Sequence, residues 1–182
     1  MAEFWEEIDG WFNFYRLYTD MIDKYDNAVF IEIGTWLGRS AGFMGLRIKE
    51  SGKKIRFYAI DLFAPYIQGG VEQKGVTFDE FNANMAPVRN YVIPIRGSSH
   101  DVCSQFEDCS VDFLFIDGNH TYEFVRKDLE LWFPKIRAGG VIAGHDYSWD
   151  GVRRAVDEFF FGKGDIDMSY YKESGTWLVR IQ

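Results

Sequence analysis

Four short apolar runs punctuate the chain: AVFIEIG (28–34), IRFYAID (55–61), VDFLFID (111–117) and GGVIAGHD (139–146). Each is nearly continuous, which marks a parallel strand covered on both faces rather than a half-exposed strand with alternating polarity. Helical periodicity fills the gaps between them. Strands that alternate with helices predict a doubly wound α/β sheet with right-handed crossovers. A fifth run, YVIPIRG (91–97), contains Pro94. Proline has no N–H to give a ladder, so this run predicts an edge strand, in keeping with the strand order 3-2-1-4-5. Near the C-terminus, DMSYY and TWLVRI flank a turn at Glu173–Gly175 and predict an antiparallel hairpin.

Helix boundaries follow from capping chemistry. Thr77 and Glu80 have the spacing of a capping box, and Pro87 stops the helix that follows. A helix over about 121–133 closes at Pro134, with Gly139-Gly140 turning into the next strand. Asp150 is placed to cap the helix GVRRAVDEFF. Apolar residues at 4, 8, 11, 15, 18, 22 and 25 step by four and three, as along one helix face. They predict a helical cap over 1–26 that docks on the core; a lid or a homodimer contact are the sharper readings. The polar, glycine-rich LFAPYIQGGVEQKGV (62–76) lacks periodicity and reads as a loop beside the strand ends, a lid or a passive surface segment.

The remaining totals narrow the class. The 182 residues fit one domain over 1–182. A net charge of −8 with no basic run argues against a nucleic-acid partner, which needs Lys and Arg contacts to phosphate. Cys103 and Cys109 match no zinc spacing and build no disulfide framework, so reduced thiols are expected. No apolar run approaches the roughly 20 residues that span a bilayer, and MAEFWEEIDGW lacks a signal-peptide core. A soluble, cytoplasmic protein without a membrane partner is expected.

In an open α/β sheet, ligands bind outside the carboxyl ends of the strands. Polar groups collect at that edge. They are the turn GTWLGRS after 28–34, Asp61 after 55–61, Ser98, Ser99 and His100 after 91–97, Asp117 and His120 after 111–117, and His145 and Asp146 after 139–146. All three histidines lie there. Gly34 permits a tight turn, and Gly38 would let the backbone approach a ligand closely. The glycines stand four apart, which is neither the dinucleotide G-x-G-x-x-G nor a P-loop. Asp61 can accept both hydroxyls of a ribose, as found in NAD and in S-adenosylmethionine (SAM).

The segments FIEIGTWLGRS, YAIDLF and FIDGNHTYEFVRKDLELWFPKIRAGGVIAGHDY resemble class I SAM-dependent methyltransferases, above all the small O-methyltransferases of the macrocin and catechol type. The resemblance covers roughly residues 28–182. It implies a Rossmann-like, mostly parallel seven-stranded sheet of order 3-2-1-4-5-7-6, with helices on both faces and an antiparallel C-terminal hairpin. It implies SAM as cofactor and a small-molecule acceptor. Glu32, Gly34, Thr35, Gly38 and Ser40 match the first SAM motif. Asp61 matches the ribose-binding acid with Leu62 beside it, and Ser98 and Ser99 match the segment lining adenine. Asp117 and Asp146 match metal ligands of many relatives, for magnesium or manganese, and His120 matches a general base. The sequence departs at His145-Asp146, where many relatives have two carboxylates or Asp-Asn. Histidine suits magnesium poorly, so His145 is either a ligand or a support.

Methyl transfer to a hydroxyl needs alignment and removal of the acceptor's proton. Asp117 and His120 are the catalytic candidates, with Asp117 also beside the cofactor; Asp117, His145 and Asp146 form the candidate metal set. Trp5, Trp11, Tyr66, Tyr147 and Trp149 are candidate acceptor walls, for a sugar or a phenol. The alternatives are a nicotinamide-dependent oxidoreductase, a nucleic-acid methyltransferase, for which DGNH stands in place of [DN]-P-P-[YF], and a non-catalytic SAM-binding protein.

Overall fold

A computed structural model describes residues 2–68, 70–164 and 166–182. The sheet consists of β1 (Asn27–Ile33), β2 (Lys54–Asp61), β3 (Ile93–Arg96), β4 (Val111–Ile116), β5 (Ile136–Gly144), β6 (Ile166–Tyr171) and β7 (Thr176–Ile181). Its spatial order is β3-β2-β1-β4-β5-β7-β6, as expected. The first five strands run parallel, and β7 pairs antiparallel with both β5 and β6. Around the sheet lie α1 (Tyr15–Lys24), α2 (Arg39–Ser51), α3 (Phe78–Asn84), α4 (Ser99–Val102), α5 (Tyr122–Trp132) and α6 (Asp150–Phe160).

Successive strand residues point to opposite faces, and the two faces differ in kind. Phe30, Phe57, Phe113 and Phe115 pack in one layer with residues of α1 and α2. Val29, Ile31, Leu114, Ile116 and Ile142 pack in the other with residues of α5 and α6. Pro94 pairs with Ala59 on the edge strand β3, where its missing N–H costs no ladder bond. The Thr77–Glu80 capping box forms: Glu80 N–H donates to Thr77 Oγ1 at 3.2 Å, and Thr77 N–H donates to Glu80 Oε2 at 2.8 Å.

Four local expectations change. The N-terminal segment is not one helix. A 3₁₀ turn (Phe4–Glu7) is followed by an extended strap over 8–14 and only then by α1. Gly10 adopts φ 141°, which takes the chain out of a helix, and Trp5 packs edge-on against Phe12 and Phe43 to hold the strap on the core. Gly139-Gly140 lies within β5 rather than before it, where the pairing with β4 shifts register between Val111 and Phe113. Asp150 is the first residue of α6 and binds Arg153 at 2.6 Å, while Trp149 takes the cap position. The 62–76 segment contains an antiparallel ribbon, Tyr66–Gln68 with Val71–Gln73. Gly69 of that candidate lid lies outside the described residues, as does the side chain of Tyr66.

Candidate functional site

The ends of β1, β2 and β4 are drawn tightly together. Gly34 N–H donates to Ile60 O and Asp117 N–H donates to Ile33 O, each at 2.8 Å. Gly34 has φ 85°, and a Cβ there would overlap the Asp117 carbonyl. Gly38, at φ 90°, serves a different purpose from the one expected. A Cβ there would stand 2.7 Å from Met85 Cε and from Phe81 Cε2, so its bareness lets α2 start against α3.

A cavity of about 860 Å³ opens over these strand ends. Gly34, Thr35, Ser40, Asp61, Leu62, Ser98, Ser99, Asp117, His120, His145 and Asp146 all line it. Glu32 and Gly38 do not. Glu32 lies buried beneath, accepting hydrogen bonds from Tyr18 Oη and Ser40 Oγ, both at 2.7 Å. Burial pushes its carboxyl up to about 7, against the downward pull of those two donors. Glu32 thus orients Ser40 from below. Asp61 accepts the N–H of Trp36 at 2.9 Å and of Phe63 at 3.0 Å. Burial raises its pKa despite these bonds.

At the other end of the cavity, acids and imidazoles converge. His120 Nε2 lies 2.9 Å from Asp146 Oδ2 and 3.4 Å from Asp117 Oδ1. One ligand atom from each of Asp117, His120 and Asp146 falls within 4.8 Å of the others. This set differs from the expected one, with His120 in place of His145. His145 stands behind: its Nδ1 is 3.4 Å from Asp146 Oδ1 and 3.8 Å from Asp117 Oδ1, and its Nε2 is 3.2 Å from Asn13 Oδ1. Asp146 has φ 54°, a conformation that non-glycine residues adopt sparingly and functional turns often hold. Burial disfavours a charge on His120, but the two carboxylates outweigh it and hold the imidazole up at about 9. The same pairing holds Asp146 well below the usual carboxylate range, against its own burial. His120 therefore does not titrate near neutral pH as an isolated histidine would.

Several lining residues, Asp9, Gly10, Phe124 and Asp128 among them, have no sequence signal. Asp9, Gly10 and Trp11 of the strap form one wall, and Arg39 Nη1–H donates to Gly10 O at 3.1 Å to fasten it. Phe124 and Asp128 reach in from α5. Trp11, Trp36 and Trp149 ring the mouth and are 81%, 42% and 51% exposed. Of the expected aromatic walls, Trp11 and Trp149 line the cavity. Trp5 belongs to the packed core layer, and Tyr147 donates to Asp157 Oδ1 at 2.5 Å and packs on Tyr170. Both cysteines are free, Cys103 buried and Cys109 exposed. Among the described residues no helix is long and apolar enough to cross a membrane.

A family model described as a methyltransferase domain matches residues 31–147, from the middle of β1 to the turn after β5, which is more than half of the chain. The chain belongs to this methyltransferase family. Two curated relatives agree in extent. An uncharacterized protein of Sinorhizobium fredii is 29% identical over 120 residues, 64% of this chain and 13% of that protein. An uncharacterized protein of Acanthamoeba polyphaga mimivirus is 28% identical over 129 residues, 67% of this chain and 52% of that protein. The chain thus spans about half or less of the length of these relatives. Solved structures share its fold. The O-methyltransferase NovP superposes with a TM-score of 0.73 at 19% identity, covering 92% of this chain and 77% of NovP. An O-methyltransferase from Bacillus cereus in complex with SAH gives 0.72 at 14% identity, covering 100% and 92%.

Proposed function

We propose that this methyltransferase transfers a methyl group from SAM to a hydroxyl of a small molecule, a sugar or a phenol. One observation carries the reading: a single cavity joins a ribose-type acid, Asp61, to the Asp117–His120–Asp146 cluster. The two oxygens of Asp61 each accept one backbone N–H and keep further lone pairs for the ribose hydroxyls. Thr35 and Ser40 face the amino-acid end, and Leu62, Ser98 and Ser99 face the base. The solved O-methyltransferases that share the fold, including TomG from Streptomyces achromogenes in complex with SAM, support the same chemistry.

When bound, SAM supplies an activated methyl on a sulfonium, so the protein's tasks are alignment and deprotonation. Alignment in the cavity can contribute the larger share of the rate. Deprotonation falls to the histidine–carboxylate cluster. With its pKa at about 9, His120 is already protonated at neutral pH and is a poor base there. The donor set fits a divalent ion: two carboxylates and one imidazole suit manganese or another borderline ion better than all-oxygen magnesium. Such an ion, when bound, lowers the pKa of an acceptor hydroxyl. Asp117, His120 and Asp146 would hold it, and His145 would steady the carboxylates from behind.

Calorimetric titration of SAM and S-adenosylhomocysteine tests the reading, first with EDTA and then with manganese. Micromolar binding lost in Asp61→Ala supports it. No binding of either compound under any metal condition would send the assignment to a nicotinamide cofactor instead.

A further inference from the structure

The strap over 8–14 is fastened by polar contacts at two points. The Gly10 carbonyl accepts Arg39 Nη1–H at 3.1 Å, at the start of α2. Three residues on, Asn13 Oδ1 lies 3.2 Å from His145 Nε2, in the turn after β5. Between the two points Trp11 forms part of the cavity wall. Asn13 itself is exposed and does not line the cavity. Whatever it does for the site therefore passes through His145. That imidazole is buried, with Nδ1 3.4 Å from Asp146 Oδ1 and 3.8 Å from Asp117 Oδ1. The Phe14 ring lies against it, centroids 5.2 Å apart, and the Ser174 backbone hydrogen-bonds it as well. A carboxylate only accepts, so the imidazole turns an N–H from Nδ1 toward Asp146. A carboxamide donates as well as accepts, so Asn13 can pair Nε2 in either role. Asn13 is thus the strap's polar hold on the rotation of the ring.

We infer that Asn13 is a positioning residue for the divalent-ion site: it fixes the His145 ring in the rotation that steadies Asp146 and Asp117, and so links the strap to the ion. The inference rests on the metal reading of the Asp117–His120–Asp146 cluster and adds to it a residue outside the cavity. Groups that orient ligating carboxylates contribute to an ion site's affinity, because a carboxylate fixed in advance loses less freedom when the ion arrives. The coupling runs both ways. If the strap's hold on His145 strengthens ion binding, a bound ion strengthens the strap's hold on His145. Trp11, between the two fastenings, is then steadier with the ion in place, and the ion helps to set the wall that an acceptor meets.

The test is manganese titration, by calorimetry and by the paramagnetic resonance signal of the free ion, on the wild type, Asn13→Ala, His145→Ala and the double variant. His145→Ala should weaken manganese binding by about 10–100-fold. Asn13→Ala, one contact further from the ion, should weaken it by at least about fivefold and leave S-adenosylhomocysteine binding unchanged. In the His145→Ala background Asn13→Ala should have no further effect, because the path to the ion is gone; a merely structural role would add its cost in both backgrounds. Amide exchange over 8–14 should slow when manganese is added to the wild type, and not when it is added to Asn13→Ala. The Asn13→Ala comparison stands even if His145→Ala does not fold. An Asn13→Ala affinity within about twofold of the wild type would overturn the inference. So would equal costs of Asn13→Ala in the two backgrounds, or strap exchange in the wild type that ignores the ion. A wild type that binds S-adenosylhomocysteine but no manganese has a different signature: the metal reading falls and this inference with it, while the SAM reading stands.

Discussion

His120 Nε2 stands 2.9 Å from Asp146 Oδ2, bridging the turn after β4 to the turn after β5. Asp117 Oδ1, 3.4 Å away, closes the group. In the ligand-free protein a proton on His120 answers the two carboxylates. A divalent ion at the same place would answer them too, and the proton must leave for it to bind to the imidazole.

Manganese binding near pH 7.5 should therefore release about one proton per ion. Calorimetry in two buffers of different ionisation enthalpy measures this directly. Identical heats in both buffers would mean that His120 is not a ligand. His120→Ala should weaken manganese binding by at least about tenfold while leaving S-adenosylhomocysteine affinity within a few-fold.

Ligand-free stability should fall as pH rises through the range in which His120 titrates. Its pKa is raised from 6.5 to about 9, so the folded state holds the proton more tightly than the unfolded chain. The stabilisation is fully present below pH 6.5 and lost as pH rises through about 9. A loss on the order of 1–3 kcal/mol is expected from urea midpoints across that interval. His120→Ala should lack this component; a variant with the wild-type profile would place the dependence elsewhere.

Glu32 adds a second pH effect at lower pH. Its carboxyl is raised from 4.5 to about 7, so the folded state favours the neutral form, and ionisation becomes a cost as pH climbs across that range. Relative to Glu32→Gln, the wild type should lose urea resistance between pH 4.5 and 7. Parallel curves would show that Glu32 ionises as readily folded as unfolded. Tyr18→Phe, which strips a donor from the buried carboxyl, should cost about 1–3 kcal/mol.

Gly34→Ala and Gly52→Ala separate crowding from backbone conformation. Both glycines have positive φ, 85° and 67°. A Cβ at Gly52 meets nothing within 4 Å, whereas at Gly34 it collides with the end of β4. Gly52→Ala should cost about 1 kcal/mol, from conformation alone. Gly34→Ala should cost at least about 2 kcal/mol more, because strand ends must part. It should also reduce cofactor affinity sharply, as read by calorimetry. Equal costs at the two positions would contradict the crowding argument.

The sheet was legible because buried parallel strands are written as unbroken apolar runs, and because Pro94 could sit only on an edge. Topology then carried Asp61, Asp117, His120 and Asp146 to one rim without any knowledge of side-chain contacts. Contacts between distant segments left no such trace. Asn13 reaches His145 across 132 positions, and nothing in the local pattern of either residue announces it. The strap misled for a physical reason: apolar residues at 4, 8, 11 and 15 keep a helical spacing while Gly10 turns the chain out of a helix. Gly38 misled because a bare backbone position looks the same in sequence whether it faces a ligand or a neighbouring phenyl ring. Arg39 and Trp36 lie inside the GTWLGRS turn and could have been suspected from their place beside the glycines.

Five of the six tryptophans divide in a way that makes the molecule its own optical gauge. Trp132 and Trp177 are sealed in the core and emit as a constant blue background. Trp11, Trp36 and Trp149 face water at the cavity mouth and emit to the red. Filling the cavity dehydrates only the second group, so emission colour tracks occupancy without a label, and removing the three indoles one at a time would show from which side a ligand enters.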